Sequence, residues 1–251
     1  MSKRRAQRRA EQRREGETGG GGQGAGWIYW VLGGALLIAA ISVGVNVFTG
    51  MGSGAMEPVE LEGLDDPQEL VEFADPVELG DPDAPVTIVE FADYQCPACQ
   101  QYASQVLPSV KSQLVDEGRV RYRFYDFPLV EMHQNAFYAA RAARCAGEQE
   151  RYWDYHDELF LHQSTWAASG NPRSHFTGYA DDLGLDVNDF ESCLRSDRYA
   201  DVVTANQMLG RQLGVSGTPT IFVDRGDGAA IRVQEWTFAN ILAAVEGESD
   251  G

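Results

Sequence analysis

The chain has 251 residues, 38 acidic against 20 basic, for a net charge of −18 at neutral pH. Seven basic and three acidic residues precede Trp27, so the remainder carries −22. That excludes binding nucleic acid through its phosphates, because an acidic surface repels a polyanion, and it favours solubility, basic partners or a saline habitat.

The amino terminus crowds Lys3, Arg4, Arg5, Arg8, Arg9, Arg13 and Arg14 ahead of a glycine run and an uncharged stretch from Trp27 to Thr49. As a helix this stretch spans roughly 34 Å, enough for a hydrocarbon core of about 30 Å. A basic flank before it and an acidic one after it orient it by the positive-inside rule. The expectation is a basic cytoplasmic tail (1–26), a single transmembrane anchor (27–49) in the cell membrane and an exported remainder. A cleaved signal peptide is the competing reading, but its apolar core is usually shorter, and Val47 to Gly54 offers no small-residue cleavage site. The paired arginines also invite a twin-arginine export reading, against which a glycine-rich spacer intervenes.

Residues 50–76 read as an acidic linker, part of an acid- and proline-rich tether that becomes ordered only near its end. Within it, Gln68 to Phe73 has the length of a helical turn, and Val77 to Leu79 that of an edge strand. Val86 to Phe91 reads as a buried strand. Pro97 opens a helix that Pro108 should kink and that ends near Gly118. Val120 to Tyr125 alternates as a second strand, with that helix as the crossover of a parallel pair. A helical block of about eighty residues, 134–213, is too long to be a loop. Two short strands, Thr220 to Val223 and Ala230 to Val233, and a helix from Phe238 to Val245 complete a domain at 77–247 before a tail at 248–251.

Four cysteines lie beyond the anchor, in a compartment that permits disulfides. Three pairings exist on paper. The two-residue gap favours Cys96 with Cys99 as the reactive pair, which leaves Cys145 to meet Cys193 as a structural one. A Cys-x-x-Cys between a strand and a helix suits disulfide exchange, because unpaired N–H groups and the positive end of the helix dipole stabilise a thiolate. A zinc reading needs a second pair or closely spaced histidines, and His133, His156, His162 and His175 lack that spacing. Glu90, mid-strand in an apolar run, has two readings. It is a buried acid of raised pKa that relays a proton to Cys99, or a strand-edge residue satisfied by water. Thr218-Pro219, just before a strand, is by itself an ordinary turn. The aromatic residues Tyr102, Phe137, Trp153, Tyr155, Phe160 and Trp166 read as core.

Taken together, Leu79 to Cys99, Asp126-Phe-Pro-Leu129 with His133, Cys145 to Gln149, Trp153 with His156-Asp157, and Gly214 to Thr220 resemble the DsbA-like branch of the thioredoxin superfamily over roughly Val77 to Val245. The resemblance implies an α/β thioredoxin-like fold with an inserted helical subdomain, here preceded by one transmembrane helix. It implies Cys96 as nucleophile, Cys99 as resolving thiol and Pro219 as a cis-proline beside the sulfurs. Thr218 would offer its backbone to an extended substrate peptide. The dipeptide Pro97-Ala98 departs from strongly oxidising members, which often carry histidine at the second place. The expected activity is disulfide introduction into exported cysteine-containing proteins by a monomer, without cofactor or metal, with reoxidation by a quinone-linked membrane thiol oxidase. A reductase or isomerase, or a chaperone that holds peptides without turnover, are the alternatives.

Overall fold

The structure, a computed structural model, describes residues 54–64 and 66–247. The anchor expected at 27–49 and the tails at 1–26 and 248–251 lie outside the described residues. Among the described residues no helix is long and apolar enough to cross a membrane.

A β-branched, mostly apolar heptapeptide forms the central strand β2 (Val86–Ala92). It pairs in parallel with β3 (Val120–Asp126) on one side and antiparallel with β4 (Thr220–Asp224) on the other. The short strands β1 (Val77–Leu79) and β5 (Ile231–Val233) close the edges antiparallel, giving the order β1-β3-β2-β4-β5. Alternation along β2 sends Ile88, Glu90 and Ala92 to one face and Val89 and Phe91 to the other. The first face meets the larger core, which includes Tyr102, Tyr122, Phe124 and Ile241. The second meets a smaller cluster of Leu70, Ala74, Phe91, Tyr125, Phe127 and Leu209.

The crossover from β2 to β3 is the helix opened by Pro97, in pieces: α2 (Pro97–Gln105), α3 (Leu107–Val110) and a π-helical turn at Lys111–Val115. The kink expected of Pro108 falls at Val106. A proline at 108 has no N–H to continue the ladder, so the chain breaks two residues earlier, with the Val106 N–H still bonded to the Tyr102 carbonyl at 2.9 Å.

Between β3 and β4 lies the expected helical insertion: α4 (Ala136–Gly147), α5 (Tyr152–Leu161), α6 (Gln163–Trp166), α7 (Pro172–Asp182), α8 (Val187–Arg195) and α9 (Ala200–Gln212). Alanines let α4 bury itself within the insertion, from Ala136 to Ala146. Helix α9 crosses the smaller core, and Gly210 is needed there because a Cβ would sit 2.6 Å from the Phe127 ring. Helix α10 (Phe238–Glu246) closes the domain, capped by Thr237. Tyr102, Phe137, Tyr155, Phe160 and Trp166 are buried as expected, whereas Trp153 is half-buried and donates to the Glu78 carbonyl at 3.1 Å.

The acidic linker requires a correction. Its described part lies against the domain: the Ala55 N–H bonds Asp197 at 2.7 Å, and the Val59 N–H bonds Thr204 at 3.1 Å. Arg141 donates to the Ala55 carbonyl, and Asn206 to that of Ala74. Helix α1 (Pro67–Phe73), capped by Asp66, buries Leu70 completely. Composition suggested a solvated tether, but Leu61, Leu64 and Leu70 supply an apolar face. Buried polar side chains of α4 and α9 accept or donate where the linker backbone would otherwise need water.

Candidate active site

At the end of β2 the chain turns through residues 93–95. The Cys96 N–H bonds the Asp93 carbonyl at 3.0 Å, and the Asp93 carboxylate accepts from the Gln95 N–H at 2.7 Å. Cys96 is thereby set as the N-cap of α2, with Pro97 following where a helix needs no N–H. From the insertion, Gln163 donates to the carbonyls of Tyr94 at 2.7 Å and Cys96 at 3.0 Å, which ties this turn to α6. Antiparallel pairing of Phe91 with Thr220 brings the start of β4 beside the end of β2. The Cys96 thiol donates to the Thr218 carbonyl at 3.4 Å, and the Thr218–Pro219 peptide is cis. Cys96, Pro97, Ala98, Cys99, Thr218 and Pro219 thus converge at one end of the sheet. Cys145 and Cys193 do not join them; they form a disulfide between α4 and α8.

Cys96 and Cys99 are both free thiols. Cys96 keeps 9% of its surface exposed and Cys99 none. The Cys96 thiol is pulled down to about 5, first by the hydrogen bond from Cys99, with the helix-start N–H groups of Ala98 and Cys99 adding to it against burial. Cys99 is pushed well above the ordinary thiol range, first by burial, then by its bond to Cys96 and by the nearby charges of Cys96 and Glu90. The pair is therefore asymmetric: one sulfur, slightly exposed, ionises readily, and the other, fully enclosed, retains its proton.

Glu90 lies beneath this pair, only 1% exposed, between Phe124 of β3 and Ile221 of β4. Of its two readings, the structure places it on the buried one. Burial raises its carboxyl to about 7, opposed by the Tyr122 hydroxyl, which donates at 2.5 Å, and by Lys111. Tyr122 is also 3.2 Å from the Tyr102 hydroxyl, so strand, active-site helix and acid share one polar network inside an apolar core.

Residues without an assigned role in the sequence also build the site. Asp93 is 1% exposed and accepts from the Leu129 N–H at 2.7 Å, while the His133 ring nitrogen Nδ1 sits 2.8 Å from the same carboxylate oxygen. His133 is raised by that bond, and the nearby Cys96 sulfur also raises it. The signals were slight: an acid three residues before Cys96, and a tyrosine whose parity in β3 matches that of Glu90 in β2.

A family model described as thioredoxin matches residues 73–238. The chain is 39% identical over 133 residues to Na(+)/H(+) antiporter NhaA 1 of Salinispora arenicola, a match covering 53% of this chain and 19% of the antiporter. It is 28% identical over 134 residues to probable disulfide bond formation protein D of Bacillus anthracis, covering 53% of this chain and 62% of that protein. The chain thus spans less than two thirds of either relative. Its fold is similar to the crystal structure of oxidised BdbD from Bacillus subtilis, with a TM-score of 0.61 and 24% identity, over 78% of this chain and 96% of that one.

Proposed function

Because this chain is a DsbA-like member of the thioredoxin superfamily, we propose that it is a thiol-disulfide oxidoreductase working as an oxidase outside the cytoplasm. It introduces disulfides into exported proteins through Cys96 and Cys99, and its own segment 27–49 anchors it in the cell membrane. The observation that carries this reading is the asymmetry of the pair: a Cys96 that keeps a small exposed surface and is pulled down to about 5, and a fully buried Cys99 pushed up.

In the oxidised pair, a substrate thiolate attacks the Cys96 sulfur. The Cys96–Cys99 bond breaks, and its electron pair leaves on Cys99. Burial disfavours a thiolate there, so Cys99 takes a proton from Glu90, whose carboxyl at about 7 holds one to give. A second substrate thiolate then attacks the substrate sulfur of the mixed disulfide, and Cys96 leaves as a stabilised thiolate. Two electrons now rest on the pair, and a quinone-linked membrane thiol oxidase collects them. The cis-Pro219 loop presents the Thr218 backbone to the incoming peptide, and the protein acts as a monomer.

Stabilising the reduced form makes the disulfide a stronger oxidant. At pH 7 a thiol at about 5 favours the reduced state roughly a hundredfold over an ordinary thiol, or about 60 mV. The test equilibrates the full chain in glutathione buffers and reads Cys96 and Cys99 by alkylation. A potential above roughly −200 mV supports the oxidase. A value near the −270 mV or so typical of thioredoxin would remove the oxidase and favour a reductase supplied with electrons across the membrane.

A further inference from the structure

The active-site helix lacks a titratable side chain between its cysteines, because Ala98 occupies the second place. The loop after β3 returns over the start of α2, and its Leu129 N–H is fixed to the Asp93 carboxylate at 2.7 Å. A turn from Leu129 to His133, closed by the His133 N–H on the Leu129 carbonyl at 2.8 Å, aims the imidazole at the same carboxylate. With Gln95 Nα–H on its other oxygen, Asp93 is a buried carboxylate that accepts from two backbone donors, and its third neighbour is the histidine. Such an acceptor holds the proton on Nδ1 and turns Nε2 away from Asp93. His133, with 16% of its side chain exposed, and Pro97, the residue next to the reactive sulfur, line one groove of about 500 Å³.

We propose that His133, clamped by Asp93, is a positioning residue for disulfide exchange: its imidazolium stabilises the Cys96 thiolate from the loop side and replaces the charge that Ala98 does not supply. This rests on the reading of Cys96 as the exchanging thiol. Few charged groups surround the imidazole. From the turn after β2 come Asp93 and Cys96, and from its own loop comes Glu131, whose side chain is 72% exposed and 3.7 Å from Arg211. From α6 and the residues after it come only Gln163, Ala167 and Ala168, which carry no charge. The bond to Asp93 raises the ring above its ordinary value of 6.5, so it is cationic throughout the interval around pH 5 in which Cys96 ionises. Glu90 acts on Cys99; His133 acts on Cys96.

The experiment follows the pH dependence of Cys96 alkylation in the reduced full chain, compared with His133→Gln and His133→Lys. Loss of the imidazolium should move the midpoint up from about 5 by roughly one unit, so that His133→Gln is alkylated about tenfold more slowly at pH 4. At pH 9 Cys96 is fully ionised in parent and variant alike, and plateau rates within about threefold of each other there show that His133→Gln is folded and its sulfur accessible. His133→Lys, which keeps a cation, should restore much of the rate at low pH. An unchanged midpoint in His133→Gln overturns the role of His133 while leaving the oxidase reading intact. A midpoint near 8.5 or so in the parent chain would remove the thiolate centre itself, and the inference with it.

Discussion

Glu90 is stabilising in one protonation state only, the neutral one. Its carboxyl is raised from 4.5 to about 7, first by burial. The unfolded chain therefore loses its proton at lower pH than the folded one. The stabilisation is complete below about pH 4.5 and is lost as pH rises through about 7. Glu90→Gln keeps an acceptor for Tyr122 and cannot ionise. In the oxidised protein, where Cys96 and Cys99 do not titrate, urea unfolding at pH 8 should show this variant more stable by ~3 kcal/mol. The gain should vanish at pH 4. Transfer of a disulfide to a reduced peptide should slow, since Cys99 then lacks its internal proton donor; an unaltered rate would assign that proton to solvent.

At the scale of elements, helix α2 and the insertion are held by different devices. Helix α2 is positioned by its start, through Asp93, Gln163 and the Thr218 carbonyl. The insertion is held by Cys145–Cys193, across a separation of 48 residues. Cross-linking a loop of that size removes enough unfolded-state entropy to stabilise by about 4 kcal/mol, if chain entropy dominates. The Cys145→Ala/Cys193→Ala double variant should lose about that much in denaturant unfolding and keep its Cys96 alkylation profile. A changed profile would couple the insertion disulfide to the redox site. Helix α4 also carries Arg144, which meets the fully buried Asp126 at 2.6 Å and the Asp75 carbonyl at 3.0 Å, so the same helix fixes β3 and the end of the linker.

For the whole molecule, the pH dependence of stability contains a second, opposite contribution. His156 is completely buried among the rings of Tyr94, Phe124, Trp153 and Phe160, with Nδ1 bonded to Asp157 at 2.8 Å. Burial holds its pKa below 6.5. The unfolded chain takes up the proton first, so stability falls as pH drops below about 6.5. His156→Phe suits the aromatic surroundings and should flatten that fall between pH 6.5 and 5, measured as the difference in unfolding free energy from the parent chain. An undiminished slope would assign it to other groups.

Much of this arrangement could be read from residues alone. The Cys-x-x-Cys after a β-branched strand, the Thr-Pro before a later strand and the helical periodicity of 134–213 are local signals. They determined the order of elements, the α/β class and the place of the insertion, because turns, strands and helix starts are fixed by neighbours in sequence. What only the tertiary structure decided depends on residues far apart. The linker is packed because Leu61, Leu64 and Leu70 find the second face of the sheet, which composition does not record. Glu90 is buried because β3 and β4 flank it. His133 meets Asp93 across 40 residues because two chain reversals end on one side of the sheet. Proximity of that kind arises from strand pairing, and strand pairing is settled by how the hydrophobic faces close over one another.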